Sequence, residues 1–368
     1  MGFKMAVVSD IHACKRQYHS EERYNDFLAA FVNFGKDVSS RKDIDAVVIG
    51  GDLFDSPKPD AHSVLVVSGV ISDIQESGKT VFGIEGNHDM SGGEWMDVIG
   101  AQPLSDMVPF HFKGVKIVGL NYRSGSDFID AMRQMVDSGV KADILVAHFA
   151  LAEMNGGGSA DTGVQELSPF LDKIGVKCVM MGHVHIPDCR KWNGVTFVNP
   201  GSTEMVAINE PKEKFYFVVD TDTWDAEPVR IETRKMEEVE ITNEEELVSF
   251  QMELEGDARD RANIVNCPHR VFYQVIVDDS IDDAFKRLSK TIHDTSTLAR
   301  VVVRSSEARD LAPSVDARKE NLNSLERAIE ARFPKDSEEA RTILRMLRSP
   351  NPESIHLIVE EIMKGEQT

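Results

Sequence analysis

Ala46-Val47-Val48-Ile49-Gly50-Gly51-Asp52-Leu53-Phe54-Asp55 sets a short β-branched run against a glycine pair and two carboxylates. The run predicts a strand and the glycines a tight turn, which leaves the carboxylates at the strand's end, where open α/β sheets build their sites. The pattern recurs along the chain. Residues 4–9 lead into Asp10-Ile11-His12, residues 80–84 into Gly86-Asn87-His88-Asp89, residues 144–147 into His148, and residues 178–181 into Gly182-His183-Val184-His185. Further strands are expected at 115–120, 195–198 and 215–219, while residues 24–34 and 63–74 carry apolar side chains at helical spacing. Strands alternating with amphipathic stretches as far as residue 220 predict an α/β domain around a large sheet.

Each of the five clusters ends in side chains that bind metals, and five of the eleven histidines lie in them. The set suits two adjacent cations. Two such ions about 3.5 to 4 Å apart repel, so a carboxylate must bridge them and further anionic and neutral ligands must surround them. Asp52 is the natural bridge; Asp10, His12 and His185 would complete one site, and Asn87, His148 and His183 the other. An extended backbone would send His183 and His185 to opposite faces, so this segment is expected to turn. His88, beside a ligand but facing elsewhere, is the candidate catalytic residue that steadies or protonates a departing oxygen.

The remainder of the chain limits the choices. Its 368 residues allow about two or three domains. Lys and Arg number 41 against 62 Asp and Glu, and the resulting charge of −21 repels polyanions unless a local feature reverses the field. No apolar run nears the roughly 18 residues of a membrane span. The apolar opening at residues 5–8 is too short for a signal-peptide core. Cys14, Cys178, Cys189 and Cys267 show no close pairing, which suits a reducing, cytoplasmic setting. Gly156-Gly157-Gly158 lacks the Gly-Lys-Ser/Thr ending of a nucleotide loop and reads as a loop near His148. Lys15, Arg16, Lys58, Arg123 and Lys191 form either a phosphate-contacting rim or ordinary solvated surface.

A second unit follows residue 225. Thr242 and Asn243 ahead of Glu245 and Glu246 give a helix start. A strand at 271–277, a helix at 281–292 and a strand at 298–303 complete a small α/β cap. Residues 305–314 read as a linker. Beyond them Leu322, Leu325, Ile329 and Phe333, and later Ile355, Ile358 and Ile362, draw an apolar stripe on helices, which either packs on the cap or meets a partner.

The series D-x-H, G-D-x-x-D, G-N-H-D, H, G-H-x-H over residues 5–202 resembles the calcineurin-like metallophosphoesterases. The resemblance implies a four-layer α/β/β/α sandwich holding two divalent metal ions, most often Mn2+. Residues 51–59, the helix around Arg23 to Phe31, the Asn199-Pro200-Gly201-Ser202 turn and residues 231–241 are similar to the SbcD-type DNA-break-processing nucleases. That likeness implies a DNA exonuclease and endonuclease of repair or recombination with four segments: a nuclease domain at 1–225, a capping domain at 226–304, a linker at 305–314, and a helical segment at 315–368 gripped by an SbcC-type coiled-coil ATPase. It also implies a homodimer, with residues 24–34 and 63–74 as candidate contacts. Ala13-Cys14 departs from the usual Leu-Gly, and Asp55 stands where archaeal and eukaryotic relatives carry histidine, so that histidine's role does not transfer. Two readings compete with the nuclease. One is a phosphodiesterase or phosphatase for small molecules or phosphoproteins; the other is a binding module whose metals only shape a docking surface.

Overall fold

The computed structural model describes residues 2–90, 94–207, 210–261, 271–295 and 297–304. The expected linker, the C-terminal helices and Cys267 lie outside them. Among the described residues two compact units separate, the first through Glu237 together with residues 271–273, the second from Glu238 to 261 and again from Gln274.

The first unit is built on two six-stranded mixed sheets. One has the spatial order Ala226–Ile231, Lys214–Asp220, Lys4–Val8, Ala46–Gly50, Thr80–Ile84, Gln102–Pro103. The other runs Phe110–Phe112, Val115–Leu120, Ile144–His148, Cys178–Gly182, Val195–Asn199, Asp188–Trp192. In the first sheet the pairings from Lys4–Val8 through to Gln102–Pro103 are parallel and Lys214–Asp220 pairs antiparallel with both its neighbours; in the second the four central strands are parallel and both edge strands pair antiparallel. Ala226–Ile231, which the sequence reading places at the start of the cap, pairs along Lys214–Asp220 in the first sheet.

Strand alternation explains the layering. Met5 and Val7 enter the core between the sheets, with Ala46, Val48, Ile144, Val146, Cys178 and Met180. Their neighbours Ala6, Val8, Val47 and Ile49 point the other way, onto Phe31, Phe34, Val67 and Ile71 of helices Glu21–Ser40 and Ala61–Glu76. On the second sheet Leu145, Ala147, Val179 and Met181 meet Phe128, Met132, Leu167 and Leu171 of helices Gly125–Asp137 and Val164–Ile174. Period-two alternation between two buried faces yields near-continuous apolar runs and two helical outer layers, the α/β/β/α sandwich. Side-chain caps begin the first two helices: Ser20 Oγ accepts from Arg23 N at 3.2 Å and Asp60 Oδ1 from Ser63 N at 3.0 Å. Gly35 lets these helices touch, since a Cβ there would fall on Val70.

The second unit, described by itself, has a three-stranded sheet in the order Met236–Ile241, Phe272–Asp278, Leu298–Arg304, with helices Glu244–Arg261 and Ala284–Asp294. The helix start read from the sequence is a reciprocal capping box. Asn243 Oδ1 accepts from Glu246 N at 3.0 Å, and Glu246 Oε2 accepts from Thr242 N at 2.7 Å. No helix among the described residues is long and apolar enough to cross a membrane.

Candidate metal centre

The five clusters converge at the carboxyl ends of the parallel strands from both sheets. Asp10 (φ 51°), His12 (φ 49°), Asp52 (φ 49°) and His183 (φ 90°) all have left-handed backbone conformations. Such conformations are unfavourable for residues with a Cβ and persist where the surroundings over-determine them. Here they do. Asp10 N donates to Gly51 O at 3.1 Å, His12 N to Asp52 O at 3.0 Å, and His183 N to both Asp10 carboxylate oxygens at 3.1 Å. The 183–185 segment turns, as expected, rather than continuing its strand.

Two groups of ligand atoms result. Asp10, His12 and His185 offer atoms within 4.8 Å of one another. Within this group His12 Nε2 and His185 Nε2 face each other at 3.2 Å, and His185 Nε2 lies 3.7 Å from Asp10 Oδ1. In the second group, His148 Nε2 and His183 Nδ1 approach Asn87 Oδ1 at 3.1 and 2.9 Å. Asp52 Oδ2 stands between the groups, 3.8 Å from His12 Nε2 and 3.3 Å from His148 Nε2. The donor chemistry fits divalent cations: imidazole nitrogens and carboxylate oxygens spaced as atoms sharing an ion at bond lengths of about 2.1 Å would be. All seven predicted ligands are brought together. His88 stays at the rim, its side chain 41% exposed, 3.8 Å from Asp55 by Nδ1 and edge-on to His12.

The imidazoles are aimed from behind. His12 Nδ1 meets Asp55 Oδ1 at 3.0 Å, His148 Nδ1 meets Gly50 O at 2.8 Å, and His185 Nδ1 meets Glu210 Oε1 at 2.7 Å. Acceptors behind Nδ1 fix the ring and leave Nε2 free to bind a metal. Asp55 is itself held by Lys15 Nζ at 2.8 Å. Asp89 clamps the loops by accepting from Leu53 N, Phe54 N and Gly86 N at 2.6, 3.2 and 2.7 Å. A side chain at Gly86 would fall on Asp52 Oδ1, so only glycine lets this loop close. Tyr122 lies against the rings of His183 and His148, with centroids 5.7 and 6.1 Å away.

Charge follows this geometry. Burial pulls His148 down, but the adjacent Asp52 carboxylate outweighs it and the imidazole rises to about 9. Burial resists ionisation of Asp52 too, yet His148 and His12 hold it well below the usual carboxylate range. For Glu210, burial is overcome by His185 and Lys214, which hold it at about 2. The basic rim is largely neutralised by local acids: Lys15 by Asp55, Arg16 by Glu21, and Arg123 by Asp106 at 3.2 Å. Gly156 to Gly158 form a turn closed by Asn155, whose Nδ2 donates to Gly158 O at 2.8 Å.

Sequence reasoning missed Glu210, Lys214, Asp89 and Tyr122. Asp89 sat within a quoted cluster and Glu210 lies eight residues beyond Ser202 of the quoted turn, but neither ends a strand as a metal-type ligand does.

The model of the calcineurin-like phosphoesterases matches residues 3–187. A DNA double-strand break repair protein Mre11 of Haloferax volcanii is 31% identical over 246 residues, 63% of this chain and 53% of that protein. An Mre11 of Methanocaldococcus jannaschii is 24% identical over 350 residues, covering 86% and 87%. The chain therefore spans about half the length of the Haloferax relative. Among solved structures, TT1561 of Thermus thermophilus is 12% identical with a TM-score of 0.44, covering 63% of this chain and 100% of that one. With matched residues that take in every clustered ligand, this chain belongs to the calcineurin-like phosphoesterase family.

Proposed function

We propose that the chain is a metal-dependent deoxyribonuclease, an exonuclease and endonuclease subunit of DNA repair or recombination that works with a coiled-coil ATPase. The observation that carries this reading is Asp52 Oδ2 lying 3.8 Å from His12 Nε2 and 3.3 Å from His148 Nε2, a bridging position between two ligand groups. Relatives named for DNA double-strand break repair support the choice of DNA. Asp10, His12, His185 and Asp52 would hold one cation, and Asn87, His148, His183 and Asp52 the other, manganese being the first choice by family likeness. Bound there, the pair would supply Lewis acidity toward the phosphoryl group and its attacking water.

The chain's own groups do the rest. His88 is tied at its backbone, N to Asp52 Oδ1 at 2.9 Å, while its ring stays exposed and free to pass a proton to the leaving oxygen. Tyr122 covers the His148–His183 side. Residues 315–368 are the proposed ATPase-binding segment and 305–314 the linker, and the cap, expected from residue 226, is proposed to begin at Glu238 because Ala226–Ile231 pairs in the first sheet. A homodimer through helix Ala61–Glu76, where Leu65 is 71% exposed, and a cytoplasmic location complete the proposal.

Purified protein with manganese is expected to release nucleotides from linear duplex DNA. His88→Ala should lower kcat about 100-fold with metal content unchanged. No cleavage with any divalent ion, alone or with the ATPase, would overturn the nuclease reading. The net charge of −21 favours a second reading, a phosphodiesterase or phosphatase for small molecules or phosphoproteins, because repulsion of DNA grows with its length. Turnover of a cyclic nucleotide or phosphopeptide far above that of DNA would establish it.

A further inference from the structure

We propose that Glu210 is a positioning residue that fixes the tautomer of His185 and thereby one of the two cation sites. The inference rests on the two-cation reading above and extends it to residues outside the ligand clusters.

Glu210 is surrounded by donors. Oε1 meets His185 Nδ1 at 2.7 Å and Ala207 N at 2.9 Å; Oε2 meets Val206 N at 3.1 Å, Ser202 Oγ at 3.0 Å and Lys214 Nζ at 2.6 Å. Its side chain is 6% exposed and that of Lys214 is 0% exposed. Lys214 Nζ also donates to Ser202 Oγ at 2.8 Å, so the ammonium and the carboxylate fix each other. A carboxylate in this setting offers His185 only lone pairs. His185 Nδ1 must therefore carry the ring proton, which leaves the lone pair of Nε2 pointing at His12 Nε2, 3.2 Å away.

The relay also joins the two sheets. Lys214 opens the strand Lys214–Asp220 of the first sheet, whereas His185 follows the strand Cys178–Gly182 of the second. Asp55 does the same for His12 from the other side, with Lys15 as its countercharge. One cation position is thus framed by two histidines, each backed by a carboxylate and a lysine. Among the described residues the other site shows no such pair: His148 leans on a backbone carbonyl, and His183 turns Nδ1 itself toward the candidate ligand Asn87.

Glu210→Gln tests this. An amide placed there sets its own N–H2 either against Lys214, Ser202 and Val206, all donors, or against His185 Nδ1. The second arrangement moves the ring proton to Nε2 and blocks it as a ligand. With Mn2+ as the probe, calorimetry is expected to show two ions per wild-type chain, and in E210Q one retained and one weakened about 10- to 100-fold. In the metal-free full chain, 15N NMR of the imidazoles should place the proton of wild-type His185 on Nδ1 and shift it in E210Q. Unchanged affinity for both ions with an unchanged tautomer would overturn the proposal. So would a neutral wild-type His185 with its proton on Nε2 and none on Nδ1, a measurement that decides the matter even where E210Q does not fold. If wild-type protein binds no pair of ions, the two-cation reading fails, and the tautomer still reports on Glu210.

Discussion

Asp52→Ala is expected to reduce manganese-dependent DNA cleavage by about 10^4-fold, to background, in a chain that still folds. Lewis-acid stabilisation by bound metal is worth several kcal/mol in the transition state, and about 5.5 kcal/mol corresponds to that factor. Asp52 lies close to histidines of both ligand groups, so its loss is expected to weaken both sites and not one ligand of one ion. Metal analysis should find fewer than one manganese per chain at micromolar protein. Two ions retained at wild-type affinity would show that the groups do not share this carboxylate.

The same substitution has a signed effect on the metal-free protein. His148 is fully buried, and with Asp52 beside it the imidazole sits at about 9, above its ordinary 6.5. Its contribution to stability is therefore complete below pH 6.5 and is lost as pH rises through about 9. Asp52 is held below the usual carboxylate range, so it stays charged across that window. In chelator, Asp52→Ala should cost more stability at pH 6 than at pH 10, as thermal or urea unfolding would report. A cost that does not change with pH would mean that His148 does not change its charge between pH 6 and pH 10.

Much of this was legible in the sequence because of how the fold uses its residues. The central strands lie between two buried layers, so Val47-Val48-Ile49 and Ile144-Leu145-Val146 stand out as apolar runs that end at glycine, histidine or aspartate. The candidate ligands at strand ends are close in sequence to those runs, which is why the seven residues that the fold brings together could be singled out. Edge strands left no such trace. Asp188–Trp192 reads DCRKW because one edge and one face see solvent, and Gln102–Pro103 is too short to have a period. Nor could the sequence reveal what supports the ligands. Glu210 lies 25 residues from His185 and is one acidic residue in a chain with 62 of them; only the fold brings it behind the ring. Asp55 could be seen to depart from a histidine pattern, but its bonds to His12 and Lys15 are purely spatial facts.

Arg23→Met is the substitution expected to damage the fold most. Arg23 is 0% exposed, and its guanidinium donates to Gln17 Oε1 at 2.8 Å, Asp26 Oδ2 at 2.8 Å, Glu204 Oε1 at 3.2 Å and Met205 O at 3.0 Å. Methionine fills much of the volume but satisfies none of these acceptors. Asp26 keeps Arg234 Nε at 2.6 Å, whereas Glu204, 1% exposed and pushed upward by burial, is left without its cation. Removing one partner of a buried ion pair costs about 3 to 5 kcal/mol. For a unit of this size that is a fall in Tm of roughly 10 °C. The damage also reaches the metal centre, because the 199–205 segment that Arg23 anchors supplies Thr203 N to Asp10 O and Ser202 Oγ to Glu210. Manganese affinity should therefore drop together with Tm. Adding Glu204→Gln removes the stranded charge, so the double variant should be less destabilised than Arg23→Met alone. A single variant within about 1 kcal/mol of wild type, or a double variant worse than the sum of its parts, would show that the pair is not what holds this segment to the helix.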